Sequence, residues 1–462
     1  MTFKIENIKN VYLVGIGGIG MSALARYFKT IGRNVAGYDK TPTPLTSKLT
    51  EEGIDIHFDD NLALVPEYIK KEKDNTLVIF TPAVPSWHVE LNFFKNNGFT
   101  IMKRAEVLGH IFSQGIGAAV AGTHGKTTTS TMLAHILHNS QKQCNAFLGG
   151  IARNYNSNLL LSDKSQIVVA EADEYDRSFL RLYPTVAIVT SVDPDHLDIY
   201  GSYSEVIKSF NDFVNQIKPG GALVYKKNIA IDLNKLEKIN KYSYDINNDA
   251  DFSARNLRIE SRGFCFDLYT PERNLEGIQL RIGGAMNVLN ATAAAAAAHL
   301  LGVGYDEIIA GLESFEGVKR RFEIHLNENG RTYVDDYAHH PEELKACIKS
   351  ARQIFPNRKL CGVFQPHLYS RTRDFADEFA KSLDMLDEII LLNIYPAREE
   401  PIPGITSHVI FEKMKNANKV LCSKDQLIKE LKNRDIDVLL TLGAGDVDQM
   451  AADICNIIKQ QA

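Results

Sequence analysis

Gly122-Thr123-His124-Gly125-Lys126-Thr127-Thr128 is the stretch on which the reading of this chain turns. It follows a short apolar run, Ala118 to Ala121, and opens a segment from Thr127 to Ser140 with apolar residues at Met132, Leu133, Ile136 and Leu137. That spacing predicts an amphipathic helix, so the loop joins a strand to a helix. Backbone N–H groups at such a junction converge on one anion, and the helix N-terminus favours negative charge there. Lys126 can reach the β- and γ-phosphates of a triphosphate as a point charge, while the Thr127 hydroxyl is placed to ligate magnesium. The strict phosphate-loop pattern wants glycine at position 120, where this chain has Val120, so the match is to a variant loop. The simpler alternative is a glycine turn that only starts a helix.

Magnesium needs hard oxygen ligands. Glu171-Ala172-Asp173-Glu174-Tyr175-Asp176 supplies four carboxylates just beyond the apolar run Ile167 to Ala170. Four acids within six residues repel unless a cation sits nearby, and the alternative is a solvated acidic turn. A second cluster, Asp193-Pro194-Asp195-His196-Leu197-Asp198, follows the run Val186 to Thr190. His196 could orient a metal ligand or a water, or be an ordinary hydrogen-bonded loop histidine.

Towards the N-terminus, Gly15-Ile16-Gly17-Gly18-Ile19-Gly20 follows the run Val11 to Val14 and opens a helix, with Asp39 after the next run. This satisfies the dinucleotide fingerprint. A diphosphate at a helix N-terminus and an acid near a ribose are all the physics requires, so NAD and a nucleotide-sugar diphosphate both fit. A triphosphate loop further along makes hydride transfer the weaker of the two.

Short apolar runs alternate with helical patterns over three series, beginning near the N-terminus, near Gly117 and near Thr332. Alternation of this kind predicts parallel α/β units, hence three α/β domains over residues 1–112, 113–318 and 319–462. The strand-like region 228–284 and the alanine-rich helix around 287–301 fall in the second. A chain of 462 residues fits three domains of about 150 residues each. Net charge is -5, without the basic footprint of a nucleic-acid binder. Six cysteines without a C-x-x-C pair suggest neither disulfides nor zinc and fit a reducing compartment. The polar first ten residues lack the core of a signal peptide, and the apolar stretch Ala291 to Val303 is too short to span a bilayer. The expectation is a cytoplasmic protein without membrane insertion or nucleic acid.

The chain resembles the Mur ligases, the ATP-dependent amide-forming enzymes of peptidoglycan synthesis. The carriers are GIGGIGMS from Gly15, GTHGKTTT from Gly122, EADEYDRSF from Glu171, DHLD from Asp195, MNVLN from Met286, VKRRF from Val318, DDYAHHP from Asp335, QPHLYSRT from Gln365 and YPAREEPIPG from Tyr395. The resemblance implies an N-terminal Rossmann-like domain for a UDP-sugar, a central P-loop ATPase with a mainly parallel sheet, and a C-terminal Rossmann-like domain for the incoming amino acid. It implies ATP and Mg2+, with UDP-N-acetylmuramate and L-alanine as substrates, a reaction through an acyl phosphate, and a monomer or homodimer. His124 and the QPHLYSRT and YPAREEPIPG segments point to alanine, while a tripeptide in its place is the alternative.

By the same resemblance, Gly122 to Thr128 with Lys126 hold the phosphates, Thr127, Glu171 and His196 serve the metal, and Arg321 faces the phosphate. Asn287 and Asn290 stand on the adenine side and Asp336 on the ribose side. Gly15, Gly17, Gly18, Ile19, Gly20, Met21, Ser22 and Asp39 are implied for the UDP-sugar. His339 or His340 is expected near the amine and Arg371 on the carboxylate of the amino acid. Leu368 stands where some relatives have arginine, and Arg373 is the residue that could complete the clamp. Without the resemblance, Asn287, Asn290 and Asp336 read equally well as helix caps, and Arg371 and Arg373 as surface charges.

Overall fold

The structure is a computed structural model that describes residues 5–195, 197–247, 249–260, 263–397 and 399–461. Three sheets organise it. The first has order β3-β2-β1-β4-β5, with β1 Asn10–Val14, β2 Asn34–Tyr38, β3 Asp55–His57, β4 Thr76–Phe80 and β5 Thr100–Lys103, all parallel. Its central strand β1 is buried along its whole length, as a parallel strand covered by crossover helices on both faces must be. The order reverses beside β1, and the glycine loop leaves that strand at this switch point.

The second sheet holds β6 Ile116–Ala121, β7 Asn145–Ala152, β8 Ser157–Leu160, β9 Ile167–Glu171, β10 Val186–Val189, β11 Ala222–Lys226, β12 Asn240–Ile246, β13 Phe252–Glu260, β14 Gly263–Tyr269 and β15 Asn274–Leu280. Its order is β15-β14-β13-β12-β11-β10-β6-β9-β7-β8, with β6 to β12 parallel apart from the antiparallel edge strand β8. The third sheet has order β16-β17-β21-β18-β19-β20, with β16 Glu323–Glu328, β17 Arg331–Asp336, β18 Leu360–Phe364, β19 Glu388–Leu392, β20 Lys419–Cys422 and β21 Val438–Leu442. Only β16 runs antiparallel there. The α/β class and the parallel-dominated sheets are those the alternating runs predict.

By compactness the chain falls into two units: Met1–Asn256 with Phe266–Ile278 and Leu289–Phe315, and Leu257–Cys265 with Gln279–Val288 and Glu316–Ala462. In the first unit, one apolar core runs from Ile8 and Phe28 under the first sheet to Phe179, Phe210 and Phe213 under the second. Polar groups reinforce the join. The fully buried Asn158 on β8 donates to Ile19 O at 2.5 Å and Ser22 Oγ at 3.0 Å and accepts from Arg26 Nη1 at 2.5 Å. The alanines of the helix Ala285–Leu300 are buried from Ala291 to Ala298, so this run is interior helix. No helix among the described residues is long and apolar enough to cross a membrane. In the second unit, the two faces of the third sheet carry separate cores, one around Phe364 and Phe379 and one around Tyr333 and Ile454.

Candidate active site

Val120 lies inside β6, opposite Ile188 of β10, so the strand occupies the position where the strict motif places glycine. The turn begins at Gly122, with φ +139°, and ends at Gly125, with φ +79°, both in backbone territory that side chains disfavour. Space is equally tight there. A Cβ at Gly122 would overlap Thr190 Oγ1, and one at Gly125 would come within 2.7 Å of Asn290 Oδ1. Asn290 thus closes on the loop from the alanine helix.

The helix Lys126–His138 starts directly after Gly125, and the loop is pinned to the end of β10. Thr123 Oγ1 is 2.8 Å from Ser191 Oγ, the His124 amide donates to Ser191 Oγ at 2.9 Å, and the Thr190 hydroxyl bonds His124 O. Thr190 and Ser191 were not singled out from the sequence; their place between a strand end and the acidic Asp193 cluster was the available signal.

Lys126 Nζ donates to Gly122 O at 2.7 Å and to Glu174 Oε1 at 2.8 Å. Burial pulls its pKa down, but the fields of Glu174, Glu171 and Asp173 outweigh burial and hold the group above the ordinary lysine value. Glu174 is 1% exposed, and burial pushes its carboxyl up to about 7 against the opposing pull of Lys126. The sequence presents Glu174 only as one acid of a cluster; the fold makes it the partner of Lys126. Glu171 closes β9 beside Gly149, where a Cβ would overlap its Oε2, so glycine at 149 is what gives the carboxylate room. The Thr127 hydroxyl and the Glu171 carboxylate are hard oxygen donors, the type magnesium takes. His196 lies outside the described residues.

At the other glycine loop, Asp39 Oδ2 accepts from the Gly17 amide at 2.7 Å and Oδ1 from the Thr41 amide at 3.2 Å. Its carboxylate therefore braces the loop. A Cβ at Gly17 would come within 2.8 Å of that same oxygen. Gly18 is the N-cap of the helix Ile19–Thr30, a helix end that favours negative charge. Met21 is 2% exposed in the core, and the buried Ser22 hydroxyl donates to Ile19 O at 2.8 Å and accepts from Asn158, so both side chains are held in the interior. Arg104, which the sequence reading missed, packs on Gly20 and lines a cleft with Leu108, Glu171, Asp173, Ser178 and Phe179.

In the second unit, Arg320 and Phe322 adopt left-handed φ values of +60° and +47°. Carboxylates hold this unfavourable turn: Asp336 accepts from the amides of Phe322 at 2.7 Å and Ala338 at 2.8 Å, and Glu323 accepts from the amide of Arg320 at 2.8 Å. Burial raises the Asp336 carboxyl to about 6, against the pull of Arg321. Arg320 is committed to Gly443 O at 2.5 Å and Gly445 O at 2.9 Å, whereas the Arg321 guanidinium lies 5.2 Å over the Tyr337 ring. Asn287 Nδ2 bonds Gly283 O at 2.5 Å at the start of the alanine helix.

His339 Nδ1 is 2.9 Å from Tyr337 O and 3.3 Å from Glu343 Oε2, and burial, opposed by Glu343, keeps its pKa below the usual histidine value. Its ring packs at 5.9 Å on His367, which stacks at 5.9 Å on Tyr395. His340 turns away, edge-on to Phe375 at 4.9 Å. Arg371 Nη1 is buried without a hydrogen-bond partner among the described residues, a costly state that an incoming anion would relieve. The Arg373 guanidinium pairs with the adjacent Asp374 at 2.7 Å on the surface, 52% exposed. His367, Tyr395 and Glu399, which accepts from the Ser370 amide at 3.0 Å, are the neighbours that the sequence reading left unassigned.

Three family models match the chain: "Mur ligase family, catalytic domain" over residues 10–115, "Mur ligase middle domain" over 120–298 and "Mur ligase, glutamate ligase domain" over 320–445. A UDP-N-acetylmuramate–L-alanine ligase of Parabacteroides distasonis is 50% identical over 457 residues, covering 99% of each chain. One from Porphyromonas gingivalis is 50% identical over 449 residues, 97% of this chain and 98% of that one. Among solved structures, a UDP-N-acetylmuramate-alanine ligase of Thermotoga maritima superposes with a TM-score of 0.80 at 26% identity, covering 98% of this chain and all 100% of the other. A murein peptide ligase of Psychrobacter arcticus shares the fold, with a TM-score of 0.71 at 23% identity over 97% of this chain and 98% of that one.

Proposed function

The chain belongs to the Mur ligase family, and from that premise we propose that it joins the lactyl carboxylate of UDP-N-acetylmuramate to the amine of L-alanine, converting ATP to ADP and phosphate. The observation that carries this reading is the pairing, within one compact unit, of a triphosphate loop around Lys126 with a separate diphosphate loop at Gly15 to Gly20. One site activates; the other presents a nucleotide-linked substrate. Family membership leaves hydride transfer at the glycine loop without support.

The reaction begins when a lactyl carboxylate oxygen attacks the γ-phosphorus, forming an O–P bond as the bond to the β-phosphate oxygen breaks and ADP leaves. The alanine nitrogen, its ammonium proton released to water, then attacks the acyl carbon; phosphate departs with the C–O bond pair, and the second nitrogen proton passes to the departing phosphate to leave the neutral amide. Approach of one anion to another is the main barrier, so the protein's contribution is positioning and charge neutralisation. Lys126 is suited to this: it is kept charged by its carboxylate neighbours and needs only to exchange Glu174 and Gly122 O for phosphate oxygens. Thr127 and Glu171 would hold Mg2+, which supplies charge neutralisation between the phosphates when bound. Arg321, resting on Tyr337, serves the phosphate, with Asn290 and Asn287 toward the adenine and Asp336 setting the turn that carries Arg321. Arg371 takes the alanine carboxylate and His339 lies near the amine.

This assigns the chain to precursor synthesis for peptidoglycan, and we place it in the cytoplasm, consistent with described cysteines that are all unpaired. The test is phosphate release with UDP-N-acetylmuramate against a panel of L-amino acids. Release that requires both the sugar nucleotide and L-alanine supports the proposal. Equal turnover with a tripeptide in place of alanine moves the assignment to a peptide ligase, and release without any acceptor rejects it.

A further inference from the structure

We propose that Glu399 is a positioning residue for the ligation, holding in place from a separate loop the short helix that carries Arg371; the inference rests on the reading above in which Arg371 takes the alanine carboxylate. Arg371 lies in the helix Tyr369–Asp374, only six residues long. Its N-cap is Leu368, at φ +74° and ψ +138°, a backbone that leucine disfavours, and a leucine side chain has no oxygen with which to cap. A helix so short and so started is not held by its own sequence. Its support comes from elsewhere in the chain.

The segment Pro366 to Ser370 follows β18 and the segment Tyr395 to Glu399 follows β19, at the carboxyl ends of adjacent parallel strands. Backbone bonds join the two: the Tyr395 amide donates to Pro366 O at 2.8 Å, and the Leu368 amide donates to Tyr395 O at 3.0 Å. Glu399 completes the seam. Its Oε2 accepts from the Ser370 amide at 3.0 Å and its Oε1 from the Ser370 hydroxyl. That amide is in the first turn, where N–H groups find no acceptor within the helix, so Glu399 supplies the cap that Leu368 cannot. Burial pushes the Glu399 carboxyl up, but the Ser370 hydrogen bonds outweigh burial and hold it below the ordinary glutamate value. The acceptor is therefore a full carboxylate at neutral pH. Arg371 is the next residue along the helix, with Nη1 buried and without a hydrogen-bond partner among the described residues, and its charge is felt at the His339 ring. A guanidinium aimed at one anion tolerates little error, since a misplacement of about 1 Å costs on the order of a hundredfold.

Steady-state phosphate release, with ATP, UDP-N-acetylmuramate and L-alanine varied in turn, in the full chain and its Glu399→Ala and Glu399→Gln variants tests this. Glu399→Ala should raise the KM for L-alanine about tenfold to a hundredfold and leave the other two KM values within about twofold. Glu399→Gln keeps an uncharged acceptor for the Ser370 amide and should recover part of the loss. In an Arg371→Lys background, Glu399→Ala should change the alanine KM by less than about twofold, because a contact already lost cannot be lost again. An unchanged alanine KM in Glu399→Ala overturns the inference. Equal rises in all three KM values also overturn it, since they mark a loosened fold, and so do effects that multiply in full in the double variant, since Glu399 would then act without Arg371. Wild-type protein whose phosphate release does not depend on L-alanine removes the alanine reading, and the inference with it.

Discussion

Lys126 carries its charge where burial works against it, held by an acid that burial pushes up to about 7. Such a pair is poised for exchange, since phosphate oxygens can replace Glu174 without an ammonium ever being left alone. Lys126→Met should lower phosphate release by at least roughly a thousandfold while leaving UDP-N-acetylmuramate affinity unchanged, a split that steady-state kinetics and calorimetry measure together. His135, on the same helix, behaves differently. It is 3% exposed between Tyr155 and Ser314, and burial lowers its pKa to about 4. Because the folded value lies below the unfolded one, its contribution is complete above pH 6.5 and is lost as pH falls through about 4. Urea titrations at neutral pH and near pH 4 should show His135→Gln flattening the acid limb by up to about 3 kcal/mol. An unaltered acid limb would show that the ring is protonated in the folded state. The sequence named Lys126 because the Gly-Lys-Thr core constrains it locally. It could not name Glu174, Thr190 or Arg104, whose roles come from contacts between distant segments.

At the level of the element, a strand-to-helix junction works only if its neighbours leave room. Gly149 in β7 illustrates this, because its missing Cβ is the space that Glu171 at the end of β9 occupies. Gly149→Ala should displace that carboxylate and raise the magnesium concentration needed for half-maximal activity about tenfold, with the melting temperature little changed. A magnesium titration of phosphate release reads this directly, and an unshifted curve would remove Glu171 from the metal. The turn through Arg320 to Phe322 makes the same point in the second unit. Two non-glycine residues hold left-handed backbone there because Asp336 and Glu323 accept their amides or those beside them, so Asp336 is structural as well as near the expected ribose side. Strand runs such as Val11–Val14, Ala118–Ala121 and Ile167–Ala170 were legible to within a residue or two, since buried parallel strands are continuous apolar runs. The short β3 and the hairpin of β7 and β8 were not, because β3 is three partly exposed residues and β7 and β8 mix glycine and polar residues into their apolar ones.

On the scale of the whole molecule, the first and second sheets share one core, and the buried Asn158 ties the glycine-loop helix to β8 through three hydrogen bonds. Asn158→Ala strands the Arg26 Nη1 arm and removes a donor from Ile19 O and Ser22 Oγ, at a cost of roughly 1–3 kcal/mol. Native-state hydrogen exchange should show β1 and β6 protected to the same free energy in the wild type and separating in the variant. Separate protection already in the wild type would mean that the shared core does not couple them.

The sequence by itself determined the α/β class, the two glycine loops that each join a strand to a helix, and the family, because strand periodicity and loop chemistry are local and each motif is a few consecutive residues. Tertiary structure alone decided which acid Lys126 rests on, why glycine stands at 20 and 149, that Met21 and Ser22 face inward, and that Arg373 is spent on Asp374 while one nitrogen of Arg371 is buried and open. These are facts of burial and of proximity across tens to more than a hundred residues. A one-dimensional pattern carries no distance between a side chain at the start of the helix after β5 and the glycine turn after β1; only the packed chain supplies it.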